Sequence, residues 1–84
     1  MAREIPPKFP RPGDMVTPIF SSQGLDVWES WGKTEMLVGP LFKILEGEMA
    51  LVLEDCLDRG GNGSKIITTS GRTGWVNVNY IARI

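Results

Sequence analysis

The second half of the sequence alternates short apolar runs with glycine-containing turns, and this alternation limits the fold most strongly. Residues 64–69 read SKIITT, a β-branched run of the kind enriched in strands. A glycine-rich turn at 59–63 precedes the run, and Ser70-Gly71 follows it as a hairpin turn. Short strands joined by tight turns are typical of a small barrel. The pattern therefore predicts an all-β domain.

Two earlier segments extend the prediction. Residues 15–20 form a first strand candidate, in which Pro18 favours a sheet edge or a bulge. Residues 48–57, EMALVLEDCL, are apolar on both alternating faces, which indicates a central strand covered on both sides. A helix over 41–57 is the alternative, because several of its apolar residues also share one helical face. Gly47 and the strand-rich context favour the strand.

The region between these strands is the hardest to interpret. Residues 25–45 carry Trp28, Trp31 and a Gly39-Pro40 pair, and they predict a long structured loop inserted after the first strand. A short helical turn over residues 26–31 is the alternative. Residues 77–80, NVNY, predict a single turn before a last short strand at 81–84.

Length and cysteine content indicate one domain in a reducing compartment. The 84 residues suffice for a modest core, and the single cysteine, Cys56, forms no internal disulfide. Residues 1–13 contain four prolines and predict an extended arm ahead of a domain over 14–84. The sequence shows neither a signal segment nor a run of ~20 apolar residues, so we expect a cytoplasmic protein with no membrane partner.

The net charge of −1 conceals a segregation along the chain. Residues 1–13 carry a net +2, residues 14–58 a net −7, and residues 59–84 a net +4. If acidic and basic stretches fold side by side, they neutralise each other at the surface. The alternative is an acidic loop that attracts a basic partner.

The last part of the chain resembles the end of an SH3 domain. Residues 71–81, GRTGWVNVNYI, show that family's glycine turn, Gly-aromatic-aliphatic strand, 3₁₀ turn ending in Asn-Tyr, and final aliphatic strand. Residues 41–48, LFKILEGE, resemble its diverging turn. The resemblance implies a five-stranded SH3-like barrel, of the bacterial or phage type, whose core includes Ala50, Val52, Val76 and Ile81.

The peptide-binding groove of SH3 domains is only partly matched. Tyr80 corresponds to the tyrosine of the Asn-Tyr pair, but Asn77 stands where the family has proline. Phe20 is the one aromatic residue of the first strand, and Ser64-Lys65-Ile66 replaces the tryptophan expected at the start of the third strand. A proline-rich peptide is therefore not implied by the resemblance alone.

Aromatic and acidic residues are the candidate binding groups. Trp28 and Trp31 could form a platform for a proline-containing or basic partner, with Asp26 and Glu29 supplying negative charge. The alternative is that one or both tryptophans cap the core. Trp75 and Tyr80 complete the predicted site. The arm's own Pro7-Lys8-Phe9-Pro10-Arg11 has the P-x-x-P form that SH3 domains bind.

The sequence contains few residues suited to catalysis. The chain has no histidine, and Cys56 lies in an apolar stretch where a buried, inert thiol is expected. No run of oxygen ligands suits a metal, and the glycine-rich segment 60–65 lacks phosphate-loop spacing. We therefore expect no enzyme, no cofactor and no metal.

Three functions fit these observations. The first is a non-catalytic protein-interaction or assembly module that binds through Trp28, Trp31, Trp75, Tyr80, Asp26 and Glu29. The second, less favoured, is a nucleic-acid-associated barrel that uses a basic stripe of Arg59, Lys65, Arg72 and Arg83. The third is a structural subunit of a homo-oligomer.

Overall fold

The computed structural model describes residues 9–19, 23–32, 39–57 and 60–84, and these ranges contain strands but no α-helix. The strands are β1 (Met15–Pro18), β2 (Leu25–Val27), β3 (Phe42–Ile44), β4 (Ala50–Asp55), β5 (Gly63–Thr68), β6 (Thr73–Asn77) and β7 (Ile81–Arg83), with a 3₁₀ turn at Val78–Tyr80 before β7. The all-β prediction is confirmed. No helix in the described ranges has the length and apolar character needed to cross a bilayer.

Five strands form one antiparallel sheet in the order β6-β5-β4-β1-β7, and β2 pairs with β3 in a separate hairpin. The hairpin lies within the long loop predicted after the first strand. One isolated bridge between Trp28 and Trp75 joins it to β6. In the described residues β6 and β7 do not pair with each other, so the predicted barrel is not closed by strand pairing.

The two helical alternatives are wrong. Residues 50–55 pair with β5 from Ala50↔Thr68 to Asp55↔Ser64, with a bulge between Val52 and Glu54. Leu25–Val27 is likewise a strand, because cross-strand pairing with β3 satisfies its backbone groups. In both segments tertiary pairing supplies the hydrogen bonds that a helix would have made internally.

The prediction that Pro18 lies at a sheet edge or at a bulge is also wrong, because β1 lies between β4 and β7 and neither of its described ladders contains a bulge. Pro18 is tolerated there because the two ladders of β1 are offset. Only Met15 and Val16 pair with β4, whereas Pro18 pairs with Ile81 of β7. The missing N–H of Pro18 therefore falls beyond the part of β1 that β4 covers.

The core lies between the inner face of the sheet and the hairpin. Inner-facing residues alternate with outer-facing ones along β5 and β6, as the burial pattern of each strand shows. All four core residues implied by the SH3 resemblance are buried. The buried apolar set is Val16, Leu25, Val27, Ile44, Ala50, Val52, Ile66, Val76, Val78 and Ile81.

The described part of the arm is bound to the sheet by packing and hydrogen bonds. Phe9 packs against the core and Pro10 is buried. The Asp14 carboxylate accepts hydrogen bonds from the Arg11 backbone N–H (2.8 Å) and from Arg83 Nε (2.9 Å). Arg83 also donates to the Phe9 carbonyl at 2.6 Å. Phe9 thus attaches the arm to the core, and residues 1–8 lie outside the described residues.

The hydrogen bonds that the Asp14 carboxylate accepts should weaken in acid. The Arg11 N–H and the Arg83 guanidinium hold the pKa of Asp14 below its ordinary value. A carboxyl whose folded pKa is depressed stabilises the fold above its unfolded pKa of about 3.9, and the contribution is lost as pH falls. We expect Asp14→Asn to lower the Tm near neutral pH and the difference from wild type to narrow from about pH 5 downward. A difference that stays constant in pH-dependent thermal melts would contradict this assignment.

Candidate functional site

Two tryptophans face each other across the bridge between the hairpin and β6. The Trp28 N–H donates to the Trp75 carbonyl at 2.8 Å, and the Trp75 N–H donates to the Trp28 carbonyl at 2.7 Å. Directly opposed residues project their side chains to the same face. The neighbouring Val27 and Val76 are fully buried, so the two indoles lie on the outer face, where both are half-buried.

The same cross-strand row continues into the sheet. Lys65 of β5 lies opposite Trp75, and Glu54 of β4 lies opposite Lys65. Opposed side chains stand about 5 Å apart at Cβ. The row therefore presents two aromatic rings, a cation and an anion in sequence across the outer face.

A third tryptophan covers this face at the next outward position of β5. The Trp31 ring lies against the Cα of Gly63, because a Cβ built on Gly63 would come within 2.4 Å of Trp31 Cγ and Cδ1. Trp31 Nε1 also donates to Asn62 Oδ1 at 3.0 Å. Gly63 and Lys65 point to the same side of β5. Trp28, Trp31 and Trp75 thus form one outer patch, here named the tryptophan surface.

The predicted acidic residues flank this surface. Asp26 precedes Trp28 by two residues on the same side of β2, and it forms an ion pair with Lys43 of β3 at 3.5 Å. Pairs as exposed as this one contribute little stability. The Asp26 side chain is 39% exposed, although its Oδ1, which faces Lys43, is itself buried. Glu29 follows Trp28 directly and is exposed.

Tyr80 lies on a different element. It ends the 3₁₀ turn after β6 and is 46% exposed. Its carbonyl accepts the Ile19 N–H at 2.8 Å, which holds this residue beside the end of β1. Tyr80 is therefore accessible but lies outside the cross-strand row of Trp28 and Trp75.

Of the six predicted residues, the structure brings the three tryptophans together and places Asp26 and Glu29 beside them. The alternative in which Trp28 or Trp31 caps the inner core is wrong for both, since neither belongs to the buried core and both lie on the outer face. The sequence did not predict the roles of Gly63, on which the Trp31 ring packs, and of Asn62, which accepts its hydrogen bond. Both residues lie in a glycine-rich segment whose pattern predicts only a turn, and nothing in the sequence indicates that they contact Trp31.

Cys56 differs from its prediction. It follows the end of β4 and is half-buried rather than buried. Its Sγ accepts the Gly63 N–H at 3.2 Å, so the thiol helps to hold the glycine on which Trp31 rests. In the described ranges no three His, Cys, Asp or Glu side chains come together as a metal site.

Comparisons of this chain with protein-family models, with curated proteins and with solved structures give no match.

Proposed function

We propose that this chain is a non-catalytic interaction module with an SH3-like fold, which binds a protein or peptide partner through the tryptophan surface. The observation that carries the proposal is the placement of three tryptophans on one outer face. A small domain normally uses its large aromatic residues to fill the core. Here aliphatic residues fill the core, and the indoles are left at the surface.

The strand order supports the SH3-like assignment. The first and last strands of the domain, β1 and β7, are neighbours, and β4, β5 and β6 follow as a meander. The β2–β3 hairpin is inserted between β1 and β4, and a 3₁₀ turn precedes β7. These features agree with the resemblance of residues 71–81 to the end of an SH3 domain.

The chemistry of the surface favours a partner that combines an apolar ring with a basic group. Half-buried indoles offer rigid apolar area on which a proline or aromatic side chain stacks. Asp26 and Glu29 lie beside Trp28 and offer carboxylates to an arginine or lysine of the partner. A peptide that places its apolar ring on Trp28 and Trp75 would place a neighbouring base near Glu29.

The distribution of the basic residues favours a protein partner over a nucleic acid. Arg72 stacks on the Phe42 ring, with 3.7 Å between its Cζ and the ring centroid. Arg83 lies in β7, at the opposite edge of the sheet from β6, and bonds Asp14. Lys65 lies beside Trp75. These described cations are spread over the sheet, and Arg59 lies outside the described residues.

A peptide titration tests the proposal. The probe is a synthetic peptide of residues 6–12, PPKFPRP, which supplies prolines, an aromatic ring and two bases. We expect it to shift the indole signals of Trp28 and Trp75 in amide NMR spectra, and Trp75→Ala to weaken binding at least tenfold, a loss of about 1.4 kcal/mol. Leu45→Ala, in the turn after β3, is the matched control. Unmoved indole signals, with salt-sensitive shifts at Lys65 and Arg72 on adding an oligonucleotide, would favour the nucleic-acid function instead.

A second variant isolates the contribution of Trp31. Gly63 has no positive φ, so Gly63→Ala introduces no backbone strain and acts only by displacing the Trp31 ring. We expect the Trp31 indole signal to move, the fold to lose about 1–3 kcal/mol, and peptide affinity to fall several-fold. The Trp28–Trp75 bridge should persist in amide NOE spectra. An unchanged Trp31 signal would show that the ring does not rest on Gly63.

A further inference from the structure

Three residues of the arm are bound by contacts other than strand pairing. Arg11 Nε forms an ion pair with Asp55 Oδ2 at 3.0 Å, and the Asp55 side chain is 4% exposed. The Phe9 ring packs against the core, and the Phe9 carbonyl accepts a hydrogen bond from Arg83 at 2.6 Å. Pro10, between them, is buried. The arm therefore presents an aromatic ring, a proline and a guanidinium to one surface of the domain.

The surface that holds these residues combines an apolar cavity with a buried carboxylate. The cavity has a volume of about 420 Å³ and lies beside Phe9 and Pro10. It is formed by the end of β1, the 3₁₀ turn and β7, and its other lining residues are Ile19, Val78, Asn79, Ile81, Ala82 and Arg83. The carboxylate is that of Asp55, at the end of β4. These lining residues and Asp55 are here named the arm site.

The arm leaves two buried polar atoms of this region poorly satisfied. Asp55 lies directly opposite Ser64 of β5, so their side chains project to the same face with Cβ atoms about 5 Å apart. Within the described part of the chain, neither Asp55 Oδ2 nor Ser64 Oγ has a hydrogen bond of good geometry, although both atoms are buried. Leaving such atoms unsatisfied costs free energy. A guanidinium has five N–H donors, enough to bond both atoms if its position allows.

The turn before β1 restricts the position from which the arm reaches Asp55. Pro12 and Gly13 form this turn, in which Gly13 has a φ of +96°. The Asp14 N–H donates to the Arg11 carbonyl at 3.0 Å, and the Asp14 carboxylate accepts the Arg11 N–H at 2.8 Å. The Arg11 backbone is therefore held by its own chain. An arginine from another protein is free of this restriction.

We propose that the arm site binds a segment of a partner protein that carries an aromatic residue, a proline and an arginine in succession, and that Phe9-Pro10-Arg11 is the competing ligand from the same chain. The bound arm itself shows which chemistry the site accepts. Asp55 favours arginine over lysine, because a planar guanidinium matches a carboxylate with two parallel bonds. A ligand without the cation leaves this carboxylate buried and uncompensated, which is strongly unfavourable.

The covalent attachment of the arm sets the concentration at which a partner replaces it. Phe9, Pro10 and Arg11 lie outside the strands, so their release leaves the pairing of the sheet unchanged. A ligand on a short tether has an effective concentration on the order of 1 mM. A free peptide of equal intrinsic affinity must therefore approach about 1 mM to replace the arm, whereas a segment that also bonds Ser64 Oγ needs less. None of the three tryptophans belongs to the arm site, so this inference is independent of the proposed function.

Amide NMR titrations of the full chain test the arm site. The probe is the peptide PPKFPRP, and the arm is released by combining Phe9→Ala with Arg11→Ala. In this double variant the peptide should shift the amide signals of Asn79 and Ala82 well below 1 mM, whereas in wild type the same signals should move only at about 1 mM or above. Shifts of the indole signals report binding at the tryptophan surface separately, so the failure of one proposal is distinguishable from the failure of the other.

The role of Asp55 is tested in the double variant with a second peptide, in which citrulline, the neutral analogue of arginine, replaces the arginine. The citrulline peptide should bind about tenfold or more weakly. Adding Asp55→Asn should weaken the arginine peptide by a similar factor and leave the citrulline peptide nearly unchanged, because the two changes remove the same interaction. Glu54→Gln is the matched control: Glu54 is exposed, and losing its charge should alter neither affinity by more than about twofold.

Two results would overturn the proposal. If the peptide leaves the Asn79 and Ala82 signals of the folded double variant unmoved, the arm is a structural part of the domain and its site accepts no other segment. Equal affinities for the arginine and citrulline peptides would exclude recognition through Asp55. If the double variant loses the dispersed amide spectrum of a folded protein, Arg11→Ala alone replaces it, since Phe9 then still covers the core. This single variant should bind the peptide at a lower concentration than wild type does.

Discussion

Replacing Ile66 by alanine should lower the free energy of unfolding by about 2–5 kcal/mol. Ile66 is fully buried in β5, between Val52 of β4 and Gly74 of β6. Gly74 has no side chain to move into the space, so the cavity left by the lost side chain stays largely open. Because small domains are stable by only about 5–15 kcal/mol, this one change should bring the fold close to its threshold. Urea unfolding followed by tryptophan fluorescence measures the effect.

The neighbouring residue provides the matched control. Ile67→Ala removes the same atoms from the outer face of the same strand, where Ile67 is partly exposed. We expect it to cost at most about 1 kcal/mol. Equal losses for the two variants would mean that β5 is not oriented with Ile66 inward and Ile67 outward.

The second large effect concerns Gly74, where the hairpin packs closely on β6. A Cβ on Gly74 would lie 2.4 Å from Val27 Cγ1 and 3.0 Å from the Trp28 carbonyl oxygen. Gly74→Ala should therefore push the hairpin away from β6, at a cost of about 1–3 kcal/mol or more. It should also break the Trp28–Trp75 bridge, so that peptide binding is lost in the fraction that still folds. Thermal melts and the peptide titration together measure both consequences.

A double variant shows whether the clash with Val27 is the cause. Val27→Ala removes the Cγ atoms that the new methyl group meets. Combined with Gly74→Ala, it should be less destabilising than the sum of the single variants, by a coupling of about 0.5–3 kcal/mol. Additive losses would instead trace the destabilisation to another contact, such as the Trp28 carbonyl.

The sequence predicted the strands well where the local signals agreed. The β-branched run at 64–69, the Ser70-Gly71 turn and the Gly-aromatic-aliphatic pattern appear as β5, its hairpin and β6. The turn at 45–48 is equally local: the Glu48 N–H donates to the Leu45 carbonyl, and Gly47 has a φ of +96°. The conformation of these elements is determined by residues close together in the chain, and sequence patterns describe such local preferences directly.

The arrangement of the candidate site could not be predicted in the same way. The Trp28–Trp75 bridge joins residues 47 positions apart, and its register depends on how closely Val27 approaches Gly74. The packing of the Trp31 ring on Gly63 could not be predicted either, because the sequence indicates only that Gly63 belongs to a turn.

Residues 48–57 do contain a central strand, but the prediction that both of its faces are covered is wrong, because Met49 and Leu53 are exposed. An apolar pattern alone does not show which elements pack on a face.

The central claim is that the three tryptophans lie on one outer face, and a nuclear Overhauser spectrum of the labelled protein tests it most directly. The structure predicts cross-peaks from the Trp31 indole to the Gly63 α-protons, and a cross-strand contact between the Trp28 and Trp75 amide protons. The Gly63 α-protons should also move upfield, because they face the indole ring. Cross-peaks from the Trp31 and Trp75 indoles to core methyl groups such as those of Ile66 and Val76 would contradict the account, because the tryptophans would then fill the core.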